Sequence, residues 1–177
     1  MNLPNKLSIL RVLCIPVIVV LMMNPDRSCQ WAALIFFVMA SLTDFLDGHI
    51  ARKRGLVTDF GRFIDPIADK LLVLSTMIML IYQGFLPPWA VIIILARELS
   101  VDGLRLIAVT KNTVIAASPL GKMKTVSQML LIICIMILQR PAFSHWAGSI
   151  LLILAVVMTL ISGVDYFRRN IYVFGNS

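Results

Sequence analysis

The sequence predicts an all-α integral membrane protein with six transmembrane helices, on three observations. Its 177 residues are 59% hydrophobic and 14% charged, with a mean hydropathy of +0.92. That is more apolar surface than a soluble core of this size would use, so the bilayer is the expected solvent. The apolar residues fall in six runs, at about 7–23, 30–47, 66–83, 86–107, 125–139 and 146–166, each near the ~20 residues that a spanning helix needs. The runs lack the polar and apolar alternation of a membrane barrel, and backbone groups in hydrocarbon must be satisfied internally, which leaves helices. The six runs account for most of the chain, so one membrane domain over 1–177 is expected.

The first run follows Lys6 and contains Arg11, which imitates a signal peptide, but LMMNPDRSC holds no small-x-small cleavage site and the segment is expected to be retained. Pro16 sits inside it and should kink it. NPDRS leads to the second run, and the charged window 44–69 joins the second to the third. Pro66 directly follows Asp65; with the third helix starting near Phe63, the missing N–H falls among the first four, where it costs little. QGFLPP precedes the fourth run, KNTVIAASPLG forms a longer loop before the fifth, and RPAFSH joins the fifth to the sixth.

Charge orients these elements. With the N-terminus in the cytoplasm, only Arg27 and Arg140 of the sixteen Lys and Arg residues fall on the outer side, leaving fourteen at or near the inner side. This is a positive-inside pattern, which places both termini and the 44–69 window at the cytoplasmic face of the cell membrane. The net charge of +7 is explained by these flanking residues, so no nucleic-acid partner is expected. Cys14, Cys29 and Cys134 are odd in number and widely spaced, which fits neither a disulfide framework nor a zinc site.

The acidic residues are collected rather than scattered. Of nine, five (Asp44, Asp47, Asp59, Asp65 and Asp69) lie in DFLDGHIARKRGLVTDFGRFIDPIAD, between two apolar runs. Asp44 and Asp47 are three apart and Asp65 and Asp69 four apart, so each pair shares a helix face. Two facing helices would gather four carboxylates into one pocket, where mutual repulsion calls for a compensating cation. Ligation by oxygen alone points to Mg2+ or Mn2+, and two such ions suit displacement at phosphorus. A divalent-cation transporter is the competing use of the same carboxylates, but it should show a polar path through the outer half of the bilayer, where the runs carry almost none. Asp59 reads as a loop or N-cap residue, and His49 and His145 as non-ligands.

This window resembles the CDP-alcohol phosphotransferase signature. Asp44, Asp47, Gly48, Ala51, Arg52, Gly61, Asp65 and Asp69 fill all eight of its fixed positions with the required gaps. At one chance in about twenty per position, a random match is on the order of 10^-10 per starting point. MNLPNKLSILR, ARELSVDGLRLIA and GKMKTVSQM resemble segments of one bacterial branch of that family, whereas the last 40 or so residues carry little resemblance beyond being apolar with a basic end.

The resemblance implies a reaction in which CDP-diacylglycerol gives its phosphatidyl group to an alcohol and releases CMP. In that branch the alcohol is sn-glycerol 3-phosphate and the product is phosphatidylglycerophosphate. Asp44, Asp47, Asp65 and Asp69 would ligate two Mg2+ or Mn2+ ions on the diphosphate, and Asp69 would be the general base and catalytic residue. Gly48, Ala51 and Gly61 would let the nucleotide of CDP-diacylglycerol approach closely, and Arg52 would pair with its phosphate. Arg97, Arg105, Lys122 and Lys124 would receive the phosphate of glycerol 3-phosphate, with Glu98 and Asp102 pairing some of them. The family also implies a homodimer. A sister transferase acting on inositol phosphate, serine or phosphatidylglycerol is the alternative acceptor assignment.

Overall fold

The computed structural model describes the backbone of residues 3–54, 59–111, 113, 115 and 118–173, and their side chains except those of 3–7, 44–54 and 59–63. Among the described residues the regular secondary structure is all helical. The α-helices are α1 (Leu3–Met23), α2 (Arg27–Arg54), α3 (Asp59–Tyr82), α4 (Pro88–Thr110), α5 (Pro119–Leu138) and α6 (Trp146–Asn170), with short 3-10 turns at Ala142–Ser144 and Ile171–Val173. The predicted runs each correspond to one of these helices. Several helices continue past their apolar run into charged sequence, because hydropathy marks where a helix is oily and not where its hydrogen bonding stops.

Helix α3 departs from expectation at its start. It begins at Asp59 rather than near Phe63, so Pro66 lies inside the helix instead of in its first turn and removes one interior backbone hydrogen bond. Other ends follow local chemistry. Pro88 opens α4 behind an extended Pro87, as expected for a ring that lacks an N–H the first turn would not use. Ser118 caps α5, its Oγ accepting from the Gly121 amide, with Pro119 as the first helical residue. His145 caps α6 by accepting the Ala147 amide at 3.2 Å. Arg168 and Arg169 complete the last turn of α6, where cations favour the helix dipole.

The chain forms two compact units. The first comprises 1–83 with 136–139, and the second comprises 84–135 with 140–177. In the first, α1 packs along both α2 and α3, which touch each other much less. Its core includes Ile18, Met22, Phe37, Leu72, Met77 and Leu80. In the second, α4 packs against α6, with Val101, Leu104, Ala108, Tyr166 and Val173 forming a buried cluster. The 3-10 turn before α6 presses on that helix so closely that a Cβ at Gly148 would lie 2.6 Å from the Ala142 carbonyl oxygen.

The outer faces are more apolar than those of a water-soluble bundle, and several polar groups are buried beside the apolar cores. Leu10, Leu13, Val17 and Val20 on α1, and Ile150, Ile153, Val157, Leu160 and Val164 on α6, are exposed. Arg11, Glu98, Lys124, Gln128, Thr159 and Ser162 are buried. The interior groups have partners, Gln128 donating to Thr159 Oγ1 at 3.0 Å, for example. Among the described residues, two helical stretches, Pro119–Leu138 and Trp146–Val173, are long and apolar enough to cross a membrane.

Candidate active site

In the first unit, helix α3 carries Asp65 and Asp69 one turn apart, as their spacing predicts. Helix α1 supplies the partner of each. Ser8 Oγ hydrogen-bonds to Asp65 Oδ1, and Arg11 donates from NH1 to Asp69 Oδ1 at 2.9 Å. Arg11 also points Nε at the Ala40 carbonyl of α2, at 3.4 Å, so one guanidinium links three helices. Arg11 is 2% exposed, whereas the Asp69 side chain is 37% exposed. The cation is therefore enclosed within the unit while the carboxylate it contacts is partly exposed.

Asp44 and Asp47 stand on the last turns of α2, with Gly48, Ala51 and Arg52 following them on the same helix. Their side chains, with that of Arg52 and the surroundings of Gly61 and His49, lie outside the described residues. No group of three metal-ligating side chains occurs among the described residues, which contain only half of the motif's four carboxylates. That half fits a hard dication. Asp65 and Asp69 present oxygen donors from one helix face, and Asp69 is accessible.

The second unit gathers part of the basic set. Arg97 and Lys124 meet at Glu98: NH1 of Arg97 lies 3.4 Å from Glu98 Oε1, and Lys124 Nζ donates to the same oxygen. All three side chains are nearly enclosed, at 11%, 7% and 9% exposure for Arg97, Lys124 and Glu98. Both cations share this carboxylate, and Nε of Arg97 is buried without a hydrogen-bond partner among the described residues.

Arg105 is held differently. Its Nε donates to Tyr166 Oη at 2.9 Å and its guanidinium carbon lies 5.5 Å from that ring's centroid, a cation–π arrangement with α6. Lys122 is exposed, so the structure separates it from Lys124, two residues away. The expected pairing of Glu98 with neighbouring cations is present.

Three neighbours of the candidate residues were not legible in the sequence. Ser8 and Arg11 lie 57 and 58 residues from the carboxylates they contact, and Tyr166 lies 61 from Arg105. Arg11 did leave a signal, a charge inside an apolar run, where a helix rarely carries one without a partner.

Known proteins agree with the motif. The family model of CDP-alcohol phosphatidyltransferases matches residues 1–161. The chain is 40% identical to the CDP-diacylglycerol–glycerol-3-phosphate 3-phosphatidyltransferase of Bacillus subtilis (strain 168), over 96% of this chain and 95% of the relative. It is 39% identical to the protein of the same name from Rickettsia typhi, over 94% of this chain and 96% of that one. The matched region takes in the whole charged window and reaches into α6, so the chain belongs to the CDP-alcohol phosphatidyltransferase family.

Proposed function

We propose that this protein transfers the phosphatidyl group of CDP-diacylglycerol to sn-glycerol 3-phosphate, forming phosphatidylglycerophosphate and releasing CMP. The observation that carries this reading is near-full-length similarity to relatives named for that reaction, in a chain that keeps every fixed position of the motif. The acceptor's hydroxyl oxygen attacks the phosphorus bearing the diacylglycerol, the bond from that phosphorus to the CMP oxygen breaks, and the hydroxyl proton passes to a base. Asp69 is that base. Its side chain is more than one-third exposed and is oriented by the contact from Arg11.

Asp44, Asp47, Asp65 and Asp69 would hold two Mg2+ or Mn2+ ions, which when bound would neutralise the diphosphate oxygens and stabilise the leaving group. Arg52 pairs with the donor's phosphate, and Gly48, Ala51 and Gly61 leave room for its nucleotide. Arg97 and Lys124 grip the acceptor's phosphate, with Arg105 as a further cation and Lys122 adding only long-range attraction from its exposed position. The exposed apolar faces of α1 and α6 support a setting in the bilayer. In this reading all six helices span it, both termini and the motif face the cytoplasm, and the enzyme works as a homodimer, as its family does.

The deciding experiment is CMP release by the purified full-length protein with CDP-diacylglycerol and a panel of acceptors. Glycerol 3-phosphate should be used far better than inositol phosphate, serine or phosphatidylglycerol. Preference for another member of the panel would overturn the acceptor assignment, and absence of CMP with every acceptor would overturn the transferase reading.

A further inference from the structure

The last helix, whose sequence is the least distinctive part of the chain, touches both arginines of α4. Gly163 lies under Arg97: a Cβ built there would stand 3.1 Å from Arg97 Cγ and 3.9 Å from its Nε. On α5, a Cβ at Gly121 would be 4.0 Å from Arg97 NH2. The Arg97 side chain thus runs between two positions that have no side chain. Three residues beyond Gly163, on the same face of α6, Tyr166 is 2% exposed and holds Arg105 through its hydroxyl and its ring. Two cations eight residues apart on α4 are therefore seated by two residues three apart on α6.

We infer that Gly163 and Tyr166 are positioning residues for the acceptor, setting where the guanidinium groups of Arg97 and Arg105 stand. This inference rests on the proposed role of those arginines in holding glycerol 3-phosphate. Neither α6 residue supplies a charge. Gly163 acts by leaving space: Arg97 is long and its far end is chemically decisive, so a displacement at Cγ is carried to the fork that grips phosphate. Tyr166 acts by fixing direction. With its hydroxyl taking Nε, the terminal nitrogens of Arg105 are turned away from that bond, and the ring beneath restricts the plane of the guanidinium. A residue that packs for stability alone would not care which cation lies over it.

The experiment is a pair of double-mutant cycles read as Michaelis constants in the full-length enzyme. Because a misplacement of about 1 Å can cost on the order of a hundredfold, a shift of a few tenths of an ångström should cost about three- to tenfold. Gly163→Ala and Tyr166→Phe should each raise the KM for glycerol 3-phosphate by that factor, with the KM for CDP-diacylglycerol changed less than about twofold. The effect of Gly163→Ala should vanish in an Arg97→Ala background, where there is no Cγ to displace, yet persist in Arg105→Ala. The effect of Tyr166→Phe should vanish in Arg105→Ala and persist in Arg97→Ala. Tyr166→Phe loses one oxygen and keeps the ring, so it carries the test even if the alanine at 163 prevents folding. Equal effects in all backgrounds, or parallel rises in both Michaelis constants, would show a merely structural role and overturn the inference. If Arg97→Ala and Arg105→Ala themselves leave the KM for glycerol 3-phosphate at the wild-type value, the acceptor reading has failed first and the inference falls with it.

Discussion

Glu98 offers the sharpest test of how the second unit manages its charges. The substitution Glu98→Gln keeps the shape and one acceptor oxygen but removes the negative charge shared by Arg97 and Lys124. At the 3.4 Å separation of Arg97 and Glu98, Coulomb attraction amounts to about 5 kcal/mol at an effective dielectric constant of ~20. Desolvation offsets part of that attraction, but breaking an enclosed pair strands the surviving charges and typically costs about 3–5 kcal/mol. The amide oxygen recovers about 1 kcal/mol as a neutral acceptor. A net loss of about 2–4 kcal/mol is therefore expected, which for a chain of this length is a drop in melting temperature of about 5–15 °C. The assay is thermal unfolding in detergent, followed by circular dichroism, with and without glycerol 3-phosphate. An anion bound at about one hundred times its Kd stabilises the folded state by about 2.7 kcal/mol, so the acceptor should restore most of the loss. It should shift the variant more than the wild type, because its phosphate replaces the missing carboxylate charge. A variant melting within about 1 °C of wild type would refute the argument that Glu98 holds these cations. Equal shifts by the acceptor in both proteins would refute the link between the cluster and phosphate.

Three further outcomes are expected. Asp44→Asn, Asp47→Asn and Asp65→Asn should each nearly abolish CMP release, as should excess EDTA on the wild type; full turnover in EDTA would reject the two-metal site. In a background lacking Cys14, Cys29 and Cys134, single cysteines at Gly55 and Asn112 should label from the cytoplasmic side only and one at Gln83 from the outer side only, while outside labelling at 55 would invert the topology. Gly148→Ala should destabilise the protein by about 1–3 kcal/mol, seen as a lower melting temperature, because its methyl would meet the Ala142 carbonyl oxygen at 2.6 Å and a backbone cannot swing aside as a side chain can.

What the sequence made legible, and what it did not, divides along one physical line. Properties that a short window carries were readable. Apolar runs located all six helices, and the four-residue step from Asp65 to Asp69 put both carboxylates on one face of α3. Pro66 shows the limit of even that reading: a start near Phe63 would have kept the ring in the first turn, whereas α3 starts four residues earlier, at Asp59, with Pro66 inside it. Contacts made across the chain were not readable. Nothing in the spacing around Arg11 says that it reaches Asp69, and nothing in the apolar tail says that Gly163 underlies Arg97.

Yet these contacts follow one requirement. A charge taken out of water needs a partner, and each unit has a pair made between helices: α1 gives a cation to the anion of α3, and α4 gives an anion to the cation of α5. The partners then also fix geometry, because a side chain held by a second helix can no longer choose its rotamer freely. Charge burial and site construction are in this sense the same act. Carboxylates can stand in a mostly apolar chain where other helices bring groups to hold them, as α1 does for Asp65 and Asp69. That is why, in the first unit, the residues that hold Asp65 and Asp69 lie 57 and 58 positions away from them, outside the 26-residue motif.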